Sequence, residues 1–204
     1  MTYYLLAARA GMGAAALALI ALAALHILKP DIDPSRTMIS KYALGQHGWV
    51  MALCFAAFAV AGACLFTALV AHAQSLVSRI GLAFLLSAAV GLAMAARFPM
   101  DPVSTPPKPM SFSGKLHGVS FLIGVPSQIL AVLLLSLAAA SLPLLVLAAV
   151  IWLSLGIMVT IMLMVGPGKP PNPDGPERFL GLPNRLFMVA YGLWLMVAAW
   201  PMAH

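Results

Sequence analysis

The chain has 204 residues and a net charge of +6; 63% of its residues are hydrophobic and only 8% are charged. A soluble domain carries about 25% charged residues because its surface must be polar. The composition therefore excludes a disordered chain and an ordinary soluble enzyme, and it predicts a membrane protein with several spans. We expect no nucleic-acid partner, since the basic excess comes without a nucleic-acid-binding motif.

Six segments are long and apolar enough to cross a bilayer, which takes about 20 residues. The runs without a charged residue are 10–28, 42–78, 80–96, 116–168 and 186–204. Pro143 divides the fourth run, because proline cannot continue a helix from the preceding turn. The predicted helices lie near residues 5–28, 47–71, 79–98, 115–140, 143–166 and 184–202. An open sheet would leave unpaired backbone in lipid, so we predict an all-α, six-helix transmembrane bundle that forms one domain over residues 1–204.

The polar residues are concentrated on one side of the predicted bundle. With six spans, both termini and two short connections lie on one side of the membrane, which we call side A. Three long connections lie on the opposite side, which we call side B. Side B holds nine of the eleven basic residues and all five acidic residues. Its connections are proline-rich and about 16 to 18 residues long, a length typical of functional loops. We expect a multi-pass protein of a bacterial inner membrane with its functional face on side B.

The orientation of that face is open. The positive-inside rule places side B in the cytoplasm, whereas Arg9, ahead of the first apolar run, favours a cytoplasmic N terminus.

Three histidines and one aspartate are predicted to lie near the side-B ends of helices. His26 is close to the end of the first helix, and His47 and His117 begin the second and the fourth. With Asp101 they would form a ligand set for zinc, although no H-x-x-x-H or H-E-x-x-H spacing holds them together. Asp101 and His117 are also a candidate catalytic acid–base pair. The alternative is that the imidazoles bind lipid headgroups and loop carbonyls.

The segment that enters the second helix is rich in hydroxyl groups and small residues. Ser40 is a candidate nucleophile with a histidine base, although no G-x-S-x-G elbow surrounds it. Tyr42 and Gly45 are candidate ligand-binding residues for a lipid headgroup. The alternative is an interfacial loop that is anchored by its aromatic side chains.

Four charged residues on side B are further ligand-binding candidates. Arg97 ends the third apolar run, where a charge usually faces a partner or a wet cavity. Glu177, Arg178 and Arg185 surround the start of the sixth helix, and such arginines can bind a phosphate or carboxylate with two bonds. The alternatives are an arginine that extends to lipid phosphate and a loop whose charges pair internally.

Polar residues inside the spans are few. Gln128 follows Pro126 in the fourth helix, and we interpret it as a residue that bonds across the bundle in packing. No acidic residue lies at a helix centre, which argues against a proton-coupled transporter.

Several short motifs on side B resemble a known family. They are Ile39–Gly45, Phe98–Pro102, Gly114–Gly118, Glu177-Arg178 and Asn184–Leu186. Together they resemble the bacterial and archaeal "domain of unknown function 998" family, and the resemblance covers almost the whole chain, including the six-span layout. It implies no activity, because the family is uncharacterised. The residues that it singles out for testing are Ser40, Tyr42, Gly45, Asp101 and His117.

These observations favour a polar pocket on side B that binds a lipid headgroup or a small amphiphile, with Arg97, Arg178 and Arg185 binding an anion. One alternative is a metal-assisted membrane hydrolase that uses the same pocket with zinc. Another is a structural subunit that binds a partner membrane protein. The sequence does not decide whether the protein is an enzyme.

Overall fold

A computed structural model describes residues 2–102, 109–165 and 175–204 of the chain. These residues form six long helices, namely α1 (Thr2–Leu28), α2 (Gly48–Leu69), α3 (Leu76–Arg97), α4 (Phe112–Ala139), α5 (Leu142–Val165) and α6 (Gly181–Ala199). All six are long and apolar enough to cross a membrane. The prediction of an all-α bundle of six transmembrane helices is confirmed.

Four helices, α1, α3, α4 and α6, begin three residues earlier than the charge pattern predicts, and in the last three a basic residue lies among the first five residues. α4 begins at Phe112 since the Ser111 hydroxyl caps it, accepting a hydrogen bond from Gly114 N–H at 3.0 Å. α6 begins at Gly181, four residues before Arg185. A charge near a helix end reaches the interface and does not end the helix.

The helices follow one another around the bundle in chain order. α1 packs on α2, α2 on α3, α3 on α4 and α5 on α6, and α6 returns to α1. α4 and α5 make less contact than these pairs, although only residues 140 and 141 separate them in the chain. α6 also contacts α2, and its Tyr191 and Trp194 are fully buried. The large apolar side chains on the outer faces are exposed, as a lipid environment requires.

Two glycines allow α3 and α4 to approach closely. A Cβ on Gly91 would lie 2.6 Å from Gly124 Cα and 2.7 Å from Gly124 N. Real Cβ atoms do not come so near to a backbone, so this helix pair requires glycine at position 91.

Candidate functional site

We call the first connection on side B, residues 29–47, loop 1. The side chain of Arg185, in α6, holds loop 1 against that helix. Its guanidinium donates hydrogen bonds to Thr37 O at 2.6 Å, Tyr42 Oη at 2.9 Å, Gly181 O at 3.1 Å and His26 Nε2 at 2.8 Å. The guanidinium also lies 5.3 Å from the centre of the Tyr42 ring. Arg185 is only 9% exposed and Tyr42 is fully buried. The structure therefore places Arg185 and Tyr42, both predicted ligand residues, in hydrogen bonds within the protein.

Both ring nitrogens of His26 take part in this connection. Nδ1 lies 2.8 Å from Leu22 O, and Nε2 accepts the hydrogen bond from Arg185. A carbonyl can only accept, so the proton is assigned to Nδ1. The Nε2 lone pair that would bind zinc is occupied by the arginine.

Two residues at the start of α6 hold loop 1 at two more points. Asn184 Oδ1 accepts a hydrogen bond from Ile39 N–H at 2.8 Å. The N–H of Gly181 donates to Ser35 O at 2.7 Å. A Cβ on Gly181 would lie 2.3 Å from Pro34 O, so only glycine permits this contact. Loop 1 is therefore fixed as a cover over the side-B end of the bundle.

The end of loop 1 is shaped by Lys29 and by two residues with positive φ. Lys29 is buried, and its ammonium donates to Tyr42 O at 3.1 Å and to Leu44 O. Gly45 has φ +70° and His47 has φ 60°, in the left-handed region that favours glycine. Gly45, a predicted ligand residue, thus has a structural reason to be glycine.

Asp101 and His117 stabilise the entry to α4 through separate partners. The Asp101 carboxylate accepts hydrogen bonds from Ser111 Oγ at 2.6 Å and Ser111 N–H at 2.8 Å. These two bonds hold the pKa of Asp101 below its ordinary value. His117 Nδ1 bonds to Phe98 O at 2.9 Å. No hydrogen bond joins Asp101 to His117 among the described residues, so the predicted acid–base contact is not formed.

The four predicted zinc ligands do not form a cluster. In the described ranges 2–102, 109–165 and 175–204, no group of three His, Cys, Asp or Glu side chains is placed to hold a metal ion. The predicted set of His26, His47, Asp101 and His117 is therefore not assembled here. Zinc itself stays a prediction, which metal analysis of the purified protein would test.

Two other predicted anion-binding residues lie at the surface. Arg97 is exposed, with its guanidinium 5.5 Å from the centre of the Phe98 ring. Arg178 is also exposed, 4.6 Å from the ring of Phe179. The side chain of Glu177 lies outside the description. The structure therefore does not bring Arg97, Arg178 and Arg185 together at one pocket.

A cavity lies under loop 1 in the side-B half of the bundle. It encloses about 630 Å³ of empty space, including its open mouth, and is lined by α2 to α6 and by residues 38–40 of loop 1. Most of the lining is apolar. The polar side chains in it are Ser40, His117, Ser120, Gln128 and Asn184. Ser40 and His117 were predicted from the sequence as site residues.

The lining that the structure describes contains no Asp, Glu, Lys or Arg. The arginines that were predicted to bind an anion therefore do not line this cavity, and anion binding itself stays a prediction. The three arginines were placed on side B correctly, but Arg185 turns into the loop 1 connection while Arg97 and Arg178 stay outside the cavity. The cavity can offer hydrogen bonds and apolar surface, and no fixed charge.

The side-B halves of α4 and α5 both line the cavity, together with residues of α2, α3 and α6. Contacts between these helices lie further toward side A, where Ser136 Oγ donates to Leu144 O at 3.2 Å and Trp152 Nε1 donates to Ile129 O at 3.2 Å. Beyond Trp152 toward side B, α5 contributes Leu155 to the cavity wall.

Sequence reasoning missed three of the polar lining residues as site residues. Ser120 and Asn184 gave no chemical signal, although Asn184 stands in one of the family-like motifs. Gln128 was interpreted as packing. A lone amide in an apolar span was the available signal, because such a group needs a hydrogen-bond partner inside the membrane.

Six helices that are long and apolar enough to cross a membrane define a multi-pass membrane protein, and the described lining of its cavity carries no Asp, Glu, Lys or Arg. The chain belongs to the family described as Protein of unknown function (DUF998), whose model matches residues 12–201. The resemblance seen in the side-B motifs is thus confirmed. Comparisons with curated proteins and with solved structures found no match.

Proposed function

We propose that this protein binds an uncharged amphiphile, either a membrane lipid or a smaller molecule of the same chemistry, in the cavity under loop 1. One observation carries the proposal: an open, largely apolar cavity of about 630 Å³ contains a few uncharged polar side chains. Small-molecule sites typically combine apolar walls with a few polar groups that orient the ligand.

The absence of charge from the described lining favours an uncharged ligand. Bringing an ion out of water is costly unless an opposite charge pairs with it. At the mouth, Ser40 and Asn184 can bond to a hydroxyl or carbonyl group instead, and His117 Nε2 can accept a hydrogen bond from a hydroxyl group. His117 uses Nδ1 for Phe98 O, and the structure gives no hydrogen bond for its Nε2 among the described residues. An acyl chain fits the apolar walls that α4 and α5 contribute.

Filling the cavity tests the proposal. Ala95 lines the cavity on α3, and Ala95→Phe would place a ring in the ligand's space. Ala93→Phe is the matched control, because Ala93 is exposed on the same helix and does not line the cavity. The probe is monoolein, an uncharged amphiphile, added to delipidated protein in detergent and counted by native mass spectrometry.

We expect saturable monoolein binding by the wild type and by Ala93→Phe, and binding at least tenfold weaker by Ala95→Phe. Oleate, which has the same chain and a carboxylate, should bind less well than monoolein. Equal binding by Ala95→Phe and Ala93→Phe, or no saturable binding by the wild type, would contradict the proposal. The hydrolase and the partner-binding subunit stay predictions that no contact among the described residues favours.

A further inference from the structure

The inner end of the cavity contains a hydrogen-bonding group that its surroundings do not satisfy. Gln128 lines the cavity near the middle of α4 and is only 2% exposed. Its Nε2 has no hydrogen-bond partner of accepted geometry among the described residues, and neither has the hydroxyl of Tyr191. The two side chains are close enough to interact, and Tyr191 is fully buried.

Tyr191 alone cannot satisfy the amide of Gln128. A glutamine amide nitrogen carries two N–H donors, so a bond to the tyrosine oxygen would leave the second donor unused. A buried donor without an acceptor is costly, and in a membrane no bulk water is available to provide one. Nε2 itself is sealed from the cavity and faces Tyr191. A half-turn of the amide exchanges Nε2 with Oε1, so that Oε1 accepts from the Tyr191 hydroxyl and the N–H donors turn to the cavity that Gln128 lines, where an acceptor atom can receive one.

Gln128 lies far along α4 from the polar side chains at the mouth of the cavity. Gln128 is eleven residues beyond His117, so their Cα atoms are about 16 Å apart along the helix axis. The apolar residues Phe121 and Val125 line the cavity between them. An oxygen that bonds to Gln128 therefore belongs to a part of the ligand well inside the apolar region.

We propose that Gln128 is a specificity-determining residue that donates a hydrogen bond to an uncharged oxygen, most simply a carbonyl, of the bound amphiphile. The inference rests on the proposed function and narrows its ligand class. A hydrocarbon chain would leave the Gln128 donor unsatisfied, whereas a carbonyl oxygen accepts it without bringing a charge into the membrane.

The test compares two probes that share one carbon chain, methyl undecyl ketone and tridecane. Each competes with bound monoolein on the wild type, Gln128→Leu, Tyr191→Phe and Ala95→Phe in the same detergent, so that partitioning into micelles cancels between variants. A neutral hydrogen bond changes affinity roughly 3- to 10-fold. We expect the ketone to lose roughly this factor on Gln128→Leu, and tridecane to lose none. Tyr191→Phe should keep the preference for the ketone.

A second measurement reports the bond itself. The carbonyl stretch of ketone labelled with carbon-13 should move to lower frequency in the wild type and return to its unbonded position in Gln128→Leu. Equal effects of Gln128→Leu on both probes, or loss of the ketone preference in Tyr191→Phe, would overturn the role of Gln128 while leaving the cavity as a binding site. If neither probe binds the wild type better than Ala95→Phe, the proposed function itself fails.

Discussion

Replacing Arg185 with methionine tests whether one side chain holds loop 1 over the cavity. Methionine keeps an unbranched apolar side chain and removes every donor of the guanidinium. Gly181 O lies within α6 and keeps its helical role, so three acceptors lose their partner: Thr37 O, Tyr42 Oη and His26 Nε2. Tyr42 is fully buried and cannot turn to water.

The expected decrease in the free energy of unfolding is large for one substitution. A hydrogen bond from a charged group contributes about 1.5 to 3 kcal/mol when its partner is buried. Methionine also removes the cost of burying a charge, which offsets part of this loss. We therefore expect Arg185→Met to lower the free energy of unfolding by about 3 kcal/mol, or roughly 6 to 12 °C in Tm for a chain of this size.

Thermal unfolding in detergent measures this change, with Arg178→Met as the matched control. Arg178 is exposed on the same side, and its described contact is the Phe179 ring at 4.6 Å, so its loss should move Tm by less than about 2 °C. Trypsin should also cut after Lys41 in loop 1 faster in Arg185→Met than in the control. Equal Tm values and equal cleavage rates in the two variants would refute the account of loop 1.

Two further substitutions test the hydrogen bonds at the entry to α4 and the packing of α3 on α4. Asp101 has a lowered pKa, so its hydrogen bonds to Ser111 stabilise the fold above the ordinary value of 3.8 and are lost as the pH falls through the lower folded value. The Tm advantage of the wild type over Asp101→Asn should therefore shrink below about pH 3.8, and a constant difference would contradict this. Gly91→Ala should cost roughly 1 to 3 kcal/mol in thermal unfolding by pushing α3 from Gly124, whereas Gly13→Ala, with nothing near its Cβ, should not. Equal stability of these two variants would contradict the close approach.

Hydropathy was sufficient to predict the six spans, because a helix of this length in lipid needs little besides apolar side chains. Hydropathy also placed His26, Tyr42 and Arg185 together on side B of the bundle. It could not predict that these three contact one another, since that depends on the order of helices around the bundle. Equally apolar helices leave that order undetermined in the sequence.

The chemistry of the site was harder to predict than its location. Charged residues near the ends of the spans suggested an anion site, yet Arg185 donates to one loop carbonyl and to two side chains, and Asp101 accepts hydrogen bonds at the start of α4. These hydrogen bonds hold loop 1 in place and stabilise the start of α4. They use the same residue types as ligand binding does. The cavity is lined by five helices and loop 1. Its polar residue Gln128 was interpreted as a packing residue because the arrangement of helices cannot be read from a single sequence.

A crystal structure of the protein grown from a monoolein lipid phase would test the central claim most directly. The account predicts elongated density between the side-B halves of α4 and α5, under loop 1, with an oxygen within hydrogen-bond distance of Gln128 Nε2. Side chains of α4 and α5 that close on each other and leave no room for a ligand would contradict the claim.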